Sequence, residues 1–129
     1  MLEEKVVLVV DDDLTLLEMY VERIKAEGAI VVEARDGEEA LERIGETKPN
    51  IIMLDIMMPK MNGFDVLKKI KSDPETASIP VIILTALSDD QKKKQGMELG
   101  ADDYIVKAET LPVDVVAKIT KLLSSEKKV

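Results

Sequence analysis

The sequence predicts an α/β domain in which helices cover both faces of a doubly wound parallel sheet. Two observations favour this class. Five short apolar runs are separated by segments with the 3.6-residue helical period, and each run is continuous rather than alternating in polarity. Continuous runs are typical of parallel strands that are buried on both faces. Right-handed connections between alternating strands and helices then place helices on both sides of one sheet.

The five apolar runs are the predicted strands. They are too short for helices, are rich in Val and Ile, and lie between polar or glycine-containing segments. Their predicted bounds are 5–10, 29–32, 51–54, 81–84 and 104–106. A chain of 129 residues has the length of one domain, and we expect a single domain over residues 1–129.

The first predicted helix lies between the first two strands. An apolar stripe runs from Leu17 to Ile24 at helical spacing. Thr15 and Glu18 form a possible capping box at its start, and Asp13 is a further candidate cap. Gly28 predicts the end of the helix, since glycine readily adopts the left-handed conformation that closes a last turn.

Four more helices follow at similar intervals. The second is predicted to open at Asp36 and the third at Asn62, because both residues are good N-caps. The fourth should run from near Ser88 to near Gly100, and its thin apolar stripe indicates a solvated surface helix. Pro112 fits the first turn of the fifth helix.

Composition excludes several classes of function. The chain has no Cys and no His, so thiol and imidazole catalysis and Cys-based metal sites are absent. Its 18 basic and 26 acidic residues give a net charge of -8, and with one Phe, two Tyr and no Trp it is a poor candidate for binding nucleic acid. No apolar run is long enough to span a membrane, and the acidic start is unlike a signal peptide. We therefore expect a cytoplasmic protein without a membrane partner.

Polar side chains follow four of the predicted strands. Asp11 and Asp12 come after the first strand, Asp55 after the third, Thr85 after the fourth and Lys107 after the fifth. The carboxyl ends of parallel strands meet at one edge of a sheet, and ligands bind at that edge. A single acid after a strand is more often a turn former or a cap. The coincidence across four strands favours a functional site.

The three acids of this edge would repel one another strongly. If the carboxylates of Asp11, Asp12 and Asp55 lie about 5 Å apart, each pair costs roughly 3 kcal/mol at an effective dielectric constant near 20. Such a cluster either keeps a proton or holds a cation. Ligation by oxygen alone favours Mg²⁺. The alternative is that the acids are solvated and far apart.

Four stretches of the sequence resemble, in order, the motifs of the receiver domains of bacterial two-component response regulators, including the single-domain chemotaxis type. The resemblance covers nearly the whole chain. It implies a flavodoxin-like fold with strand order 2-1-3-4-5 and five helices. The stretches are VLVVDDD at 7–13, MLDIMMPKMNG at 53–63, VIILTA at 81–86 and GADDYIVK at 100–107.

The resemblance implies a role for each residue of the polar edge. Asp55 would accept a phosphoryl group from the phosphohistidine of a sensor histidine kinase or a phosphotransfer protein. Mg²⁺ would be bound directly by Asp12, largely through water by Asp11, and by the Asp55 carboxylate and the Met57 backbone carbonyl. Lys107 would pair with Asp55 at rest and with the phosphoryl oxygens afterwards.

The resemblance also implies a switch. Thr85 would hydrogen-bond the phosphoryl group, and Tyr104 would rotate inward and reshape the face made by the fourth helix, fifth strand and fifth helix for an unknown effector. The chain would then be a signalling protein that catalyses only its own Mg²⁺-dependent phosphorylation and dephosphorylation. One departure concerns Ala108, which stands where the family usually has a proline after a cis bond. The geometry of the Lys107–Ala108 peptide bond is therefore left open.

Two other functions remain open at this point. An aspartyl-phosphate phosphatase would resemble its family in having a second Asp two residues after the nucleophile, and Met57 stands there instead. A pseudo-receiver that acts only as an interaction module would be missing the acceptor, an acid or the lysine, and this sequence has all of them. Turnover of an added phosphoester would favour the phosphatase, and failure to bind Mg²⁺ would favour the pseudo-receiver.

Overall fold

The computed structural model describes residues 2–58, 61–86, 90–107 and 109–126. Within them, five strands alternate with five helices, as the sequence predicts, and a 3-10 turn over Leu14–Leu17 precedes the first helix. The strands are β1 (Val6–Val10), β2 (Ile30–Ala34), β3 (Ile51–Asp55), β4 (Val81–Thr85) and β5 (Asp103–Val106). The helices are α1 (Glu18–Ala26), α2 (Gly37–Thr47), α3 (Gly63–Ser72), α4 (Asp90–Glu98) and α5 (Pro112–Glu126).

The strands form one parallel sheet in the order β2-β1-β3-β4-β5, which confirms the predicted order. Successive side chains of a strand point to opposite faces of the sheet. Met53 of β3 accordingly packs in a core with residues of α1 and α5, whereas Leu54 packs in a second core with residues of α2 and α3. The doubly wound arrangement with helices on both faces is therefore confirmed.

The edge strand β2 differs from the sequence prediction. All residues of β3 and β4 are buried, which fits their continuous apolar runs. In β2, however, Ile30 is 55% exposed and Glu33 is also exposed, so the expectation of full cover on both faces is wrong for this strand. The reason is position, because an edge strand has a neighbour on one side only.

The starts of α2 and α3 are as predicted. The Asp36 carboxylate accepts a hydrogen bond from the Glu39 backbone N–H at 2.9 Å. The Glu39 carboxylate in turn accepts from the Arg35 backbone N–H at 2.6 Å, so both acids satisfy donors at the helix start. The Asn62 side chain accepts from the Asp65 backbone N–H at 3.1 Å and starts α3 in the same way.

The start of α1 corrects the sequence prediction. The structure has no capping box at Thr15 and Glu18, and α1 begins after the 3-10 turn with Leu17 at the N-cap position. Asp13 precedes the turn, but its side chain makes no capping hydrogen bond there. Its backbone N–H instead donates to the Asp11 carboxylate at 2.8 Å, so the acidic loop determines this entry. The predicted end of the helix before Gly28, which has a φ of +97°, is confirmed.

Helix α4 lies on the sheet through a glycine. Only Gly96 is buried within this helix, all of which the structure describes, so the predicted surface helix is confirmed. A Cβ at residue 96 would lie 2.5 Å from the Cδ1 atom of Ile83 in β4, so glycine allows close approach to that strand. The predicted start near Ser88 lies outside the described residues.

Helix α5 begins at Pro112, as predicted. Its apolar face carries Val115 and Ile119, which are both fully buried against the core shared with α1. None of the helices in the described ranges has the length and apolar character needed to cross a membrane.

Candidate functional site

The carboxyl edge of the sheet brings the predicted polar residues together. Asp55 and Thr85 end β3 and β4, and Asp11 and Lys107 directly follow β1 and β5. The sheet register pairs Asp55 with Leu84 and Thr85 with Val106, so these strands end at nearly the same level. The Lys107 backbone N–H donates to the Thr85 carbonyl at 2.8 Å and extends this alignment beyond the strand.

Three carboxylates share this edge. Asp11, Asp12 and Asp55 each offer an oxygen within 4.8 Å of the oxygens of the other two. Asp11 is fully buried and Asp55 is only 3% exposed, whereas Asp12 faces solvent. The cluster is therefore open on one side, and its spacing and oxygen-only chemistry fit a hard divalent cation.

The two buried acids are held by the same type of turn. The Asp11 Oδ1 atom accepts the backbone N–H of Asp13 at 2.8 Å, and the Asp55 Oδ1 atom accepts that of Met57 at 3.0 Å. In each case a carboxylate bonds the backbone two residues further on, which closes a compact loop after the strand. One oxygen of each acid is thereby fixed.

Lys107 contacts the other oxygen of both acids. Its Nζ atom lies 2.5 Å from Asp11 Oδ2 and 3.5 Å from Asp55 Oδ2, and its side chain is only 14% exposed. The resting partner expected from the sequence was Asp55, but the nearer carboxylate in the structure is that of Asp11. Lys107 thus bridges the two acids rather than pairing with one.

The environment shifts the pKa of Asp55 upward. Burial is the largest cause, and the charges of Asp11 and Asp12 add to it, while the Met57 N–H and the Lys107 charge act in the opposite direction. Together they raise the pKa of Asp55 from 3.8 to about 6. At pH 7 the Asp55 side chain is therefore ionised in most molecules.

Lys107 keeps its charge despite its position. Burial lowers the pKa of Lys107, but the hydrogen bond to Asp11 and the charges of Asp55 and Asp11 outweigh burial and leave that pKa raised. The amine is therefore a cation at neutral pH and partly compensates the three acids.

The Thr85 hydroxyl is a buried donor that makes no hydrogen bond to the described residues. Thr85 is 2% exposed, and its Oγ1 atom has no hydrogen-bond partner within the described part of the chain. An unsatisfied buried hydroxyl costs about 1–3 kcal/mol, so its presence at the ligand-binding edge of the sheet suits a bound oxyanion.

Tyr104 lies between α4 and α5. Its half-buried ring is approached by the Lys93 Nζ atom at 4.3 Å and by the Lys118 Nζ atom at 5.7 Å from the ring centre. Lys118 also pairs with Asp103 at 3.0 Å. The ring therefore links the two helices that flank β5, through cation–π attraction.

Gly63 supports the site in a way that the sequence interpretation missed. The sequence places Gly63 at the start of the third helix and at the end of the 53–63 stretch, but does not predict that a Cβ at this position would overlap the backbone carbonyl of Asp55 and the Cα of Ile56. Its N–H donates to the Ile56 carbonyl at 3.2 Å. The available signal was a poor helix former in a first helical turn, which indicates close backbone approach.

Two features near the site were named in the sequence, Met57 after the acceptor and the peptide bond after Lys107. Met57 is 60% exposed, and the Lys92 Nζ atom lies 3.3 Å from its sulfur, so α4 reaches the loop after Asp55. The Lys107–Ala108 peptide bond lies outside the described residues, because residue 108 does.

Comparison with known proteins identifies the family. The family model for the response regulator receiver domain matches residues 7–119 of this chain. The chain is a member of this family. Receiver domains of two-component response regulators are signalling switches controlled by phosphorylation, and they interact with sensor kinases or phosphotransfer proteins.

Individual receiver domains resemble the chain in sequence and in structure. The probable transcriptional regulator ycf27 of Guillardia theta is 42% identical over 117 residues, which are 91% of this chain and 44% of that protein. A CheY-like receiver domain protein from Methanospirillum hungatei superposes with a TM-score of 0.88 at 28% identity over 98% of both chains. The chemotaxis protein CheY4 of Vibrio cholerae gives a TM-score of 0.84 at 28% identity over 92% of this chain and 98% of that one.

The chain spans about half the length of the first curated relatives that it matches. It covers 44% of the ycf27 protein of Guillardia theta and 49% of that of Cyanophora paradoxa. The receiver domain is thus the part that these proteins and this chain have in common.

Asp55→Asn should stabilise the Mg²⁺-free protein at neutral pH. The folded protein binds the Asp55 proton more tightly than the unfolded chain, so the free energy of unfolding should fall as pH rises from 3.8 to about 6. The variant lacks this loss, so above pH 6 its free energy of unfolding should exceed that of the wild type by about 2 kcal/mol. This figure is reduced for solvent screening at the open side of the cluster. Urea unfolding with a chelator at several pH values measures the difference.

Asp65→Asn is the matched control for this change, because Asp65 is an exposed acid in the first turn of α3. It should give no gain in stability at neutral pH, since an acid is favourable at a helix N-terminus. Parallel stability–pH profiles for wild type and Asp55→Asn would contradict the assigned burial cost.

Gly63→Ala should destabilise the protein although alanine is the better helix former. The added Cβ must displace the backbone of Asp55, and the expected net loss is about 1–3 kcal/mol. Gly45→Ala in α2 is the control, because a Cβ there meets nothing within 4 Å, and it should raise stability by up to about 1 kcal/mol. Equal gains for both variants in urea unfolding would show that Gly63 has no special role.

Proposed function

We propose that Asp55 is the phosphoacceptor of a two-component signalling switch and that residues 1–129 form one receiver domain. The observation that carries the proposal is the position of the Asp55 carboxylate, which is nearly buried, lies beside Asp11 and Asp12, and is 3.5 Å from the Lys107 amine. A nucleophilic carboxylate, two further acids for a cation and a positive charge are the groups that phosphoryl transfer to an aspartate needs.

The proposed reaction transfers a phosphoryl group from a phosphohistidine to Asp55. A carboxylate oxygen of Asp55 attacks the phosphorus, and the bond between phosphorus and the imidazole nitrogen breaks as the O–P bond forms. The electron pair of the broken bond stays on the imidazole, and an acyl phosphate forms at Asp55. The pKa of about 6 supports this role, because the nucleophile is mostly ionised at neutral pH.

The cation proposed for this site is Mg²⁺, held by the carboxylates of Asp11, Asp12 and Asp55 and by the backbone carbonyl of Met57. When bound, it would stabilise negative charge on the phosphoryl oxygens. Lys107 would contribute a second positive charge to the same oxygens. Its contact with both buried acids supports this role, since the amine already lies in the pocket.

The Thr85 hydroxyl is the proposed sensor of the phosphoryl group. It is a buried donor at the end of β4 that makes no hydrogen bond to the described residues. A phosphoryl oxygen would accept a hydrogen bond from it. The resulting pull on the end of β4 would favour an inward position of Tyr104. Movement of this ring would change the α4–β5–α5 face, because Lys93 and Lys118 approach it from the two helices.

The proposed partners are proteins. A sensor histidine kinase or a phosphotransfer protein would supply the phosphoryl group, and an effector protein would bind the changed face. The only catalysis proposed is that of the chain's own phosphorylation and dephosphorylation, in the cytoplasm. The net charge of -8 argues against direct contact with nucleic acid.

Incubation with Mg²⁺ and acetyl phosphate should add one phosphoryl group to the protein, as measured by intact mass. Asp55→Asn should abolish the addition because the nucleophilic oxygen is lost, and a chelator should suppress it in the wild type. Asp65→Asn is the control and should be labelled like the wild type. A phosphoryl group that is still added to Asp55→Asn would refute the assignment.

Thr85→Val should keep the acceptor but lose the switch. Without phosphodonor, the variant should be at least as stable as the wild type, because the hydroxyl that it removes makes no hydrogen bond to the described part of the chain. After phosphorylation, the NMR signals of the Tyr104 ring should stay at their resting positions. Thr76→Val is the control for stability, since Thr76 donates to the Ile70 carbonyl at 2.7 Å, and its loss should cost about 1 kcal/mol. A normal shift of the Tyr104 signals in Thr85→Val would contradict the proposed sensor.

A further inference from the structure

Tyr20 of α1 reaches the loop that carries Lys107. Its hydroxyl oxygen lies 2.6 Å from the Lys107 carbonyl oxygen and 2.7 Å from the Thr110 carbonyl oxygen. Both distances are typical of good O–H···O hydrogen bonds. The contacts join residues that are 87 and 90 positions apart, and Tyr20 is only 6% exposed.

The hydroxyl is suited to hold this loop. It has a single proton, so it either shares that proton between the two carbonyls or alternates between them, and it contacts both in either case. Burial raises the pKa of Tyr20, and the opposing charge of Lys107 does not cancel this effect, so the group stays a donor at neutral pH. Both hydrogen bonds are partly buried, which strengthens them relative to bonds at the open surface.

The loop is also fixed from the sheet side. The Lys107 N–H donates to the Thr85 carbonyl at 2.8 Å, and the Thr110 hydroxyl donates to the Val106 carbonyl at 2.9 Å. The backbone of Lys107 is thus held at its N–H by β4 and at its carbonyl by α1. The Nζ atom of the same residue lies 2.5 Å from Asp11, in the loop that leads into α1.

We propose that the Tyr20 hydroxyl is a positioning group that keeps the Lys107 amine between Asp11 and Asp55. This proposal rests on the proposed function, because it gives Tyr20 a part in phosphoryl transfer through Lys107. A lysine side chain has several freely rotating bonds, so a precise position for its amine depends on a fixed backbone. Tyr20 supplies that fixation from the helix that follows two of the three acids.

The competing explanation is that Tyr20 is only a core residue. Its ring packs in the core with α5 residues such as Val115 and Ile119, and a phenylalanine ring would pack in the same way. A purely structural role predicts that Tyr20→Phe changes stability alone. A positioning role predicts a change at Lys107 that exceeds any effect of lost stability.

Tyr20→Phe separates the two explanations. Its first readout is the Lys107 ammonium signal in ¹⁵N-labelled, Mg²⁺-free protein, assigned by its disappearance in Lys107→Arg. Loss of the hydroxyl should loosen the buried ion pair and raise the rate of proton exchange of this ammonium group with water about tenfold. The second readout is the rate of phosphorylation by acetyl phosphate with Mg²⁺, which should fall about tenfold because the amine is misplaced.

Ile44→Val in α2 controls for lost stability. Ile44 is buried in the other core, across the sheet from Tyr20, and the variant should be less stable without a change at Lys107. The positioning role is supported if Tyr20→Phe alters both readouts and Ile44→Val alters neither. It is overturned if Tyr20→Phe behaves like the wild type, or if the two variants give equal changes at equal stability. If the wild type is not phosphorylated at all, the proposed function fails, and the ammonium signal still decides whether Tyr20 positions Lys107.

Discussion

Mutual repulsion among three carboxylates at one edge of a parallel sheet is the constraint on which this structure depends. Asp11, Asp12 and Asp55 have oxygens within 4.8 Å of one another, and two of these acids are almost fully buried. At such a separation each pair costs on the order of 3 kcal/mol, which is a large share of the stability of a domain. The fully buried strands β3 and β4, together with the Lys107 amine, hold the groups in place. The raised pKa of Asp55 and the suitability for a cation both follow from this crowding.

The pattern of strands and helices was sufficient to predict the edge at which the polar residues meet, whereas the sheet order came from the resemblance to receiver domains. Because each acid or amine directly follows an apolar run, strand periodicity and parallel topology are enough to bring Asp55 and Lys107 to the same edge. What the sequence could not give depends on loops and on neighbours far along the chain. The 3-10 turn before α1 follows a loop in which the Asp13 N–H donates to the Asp11 carboxylate, and no helix-capping pattern in the sequence predicts this turn. The close approach of Gly63 to Asp55 and the contact of Tyr20 with Lys107 are likewise tertiary.

The site and the proposed output face share β4 and β5. Thr85 is the last residue of β4 and lies close to the level of Asp55 at the end of β3. Its register partner Val106 lies two residues after Tyr104 in β5. The Thr85 hydroxyl and the Tyr104 ring therefore lie on two neighbouring strands. The ring is in turn approached by lysines of α4 and α5. The carboxyl edge of the sheet and the surface formed by α4 and α5 are therefore only one strand pair apart, and Tyr104 also packs against the core on the α2 and α3 side.

The glycine contact of α4 has a consequence for how such a surface can diverge. Since only Gly96 of this helix is buried, the side chains of α4 contribute little apolar area to the core. Exposed residues such as Lys94 and Glu98 can therefore vary in charge and size, whereas a change of Lys92 or Lys93 would also remove a contact with Met57 or with the Tyr104 ring. Substitutions at such positions would change the surface of α4 while the carboxyl edge of the sheet and the two cores stay as they are.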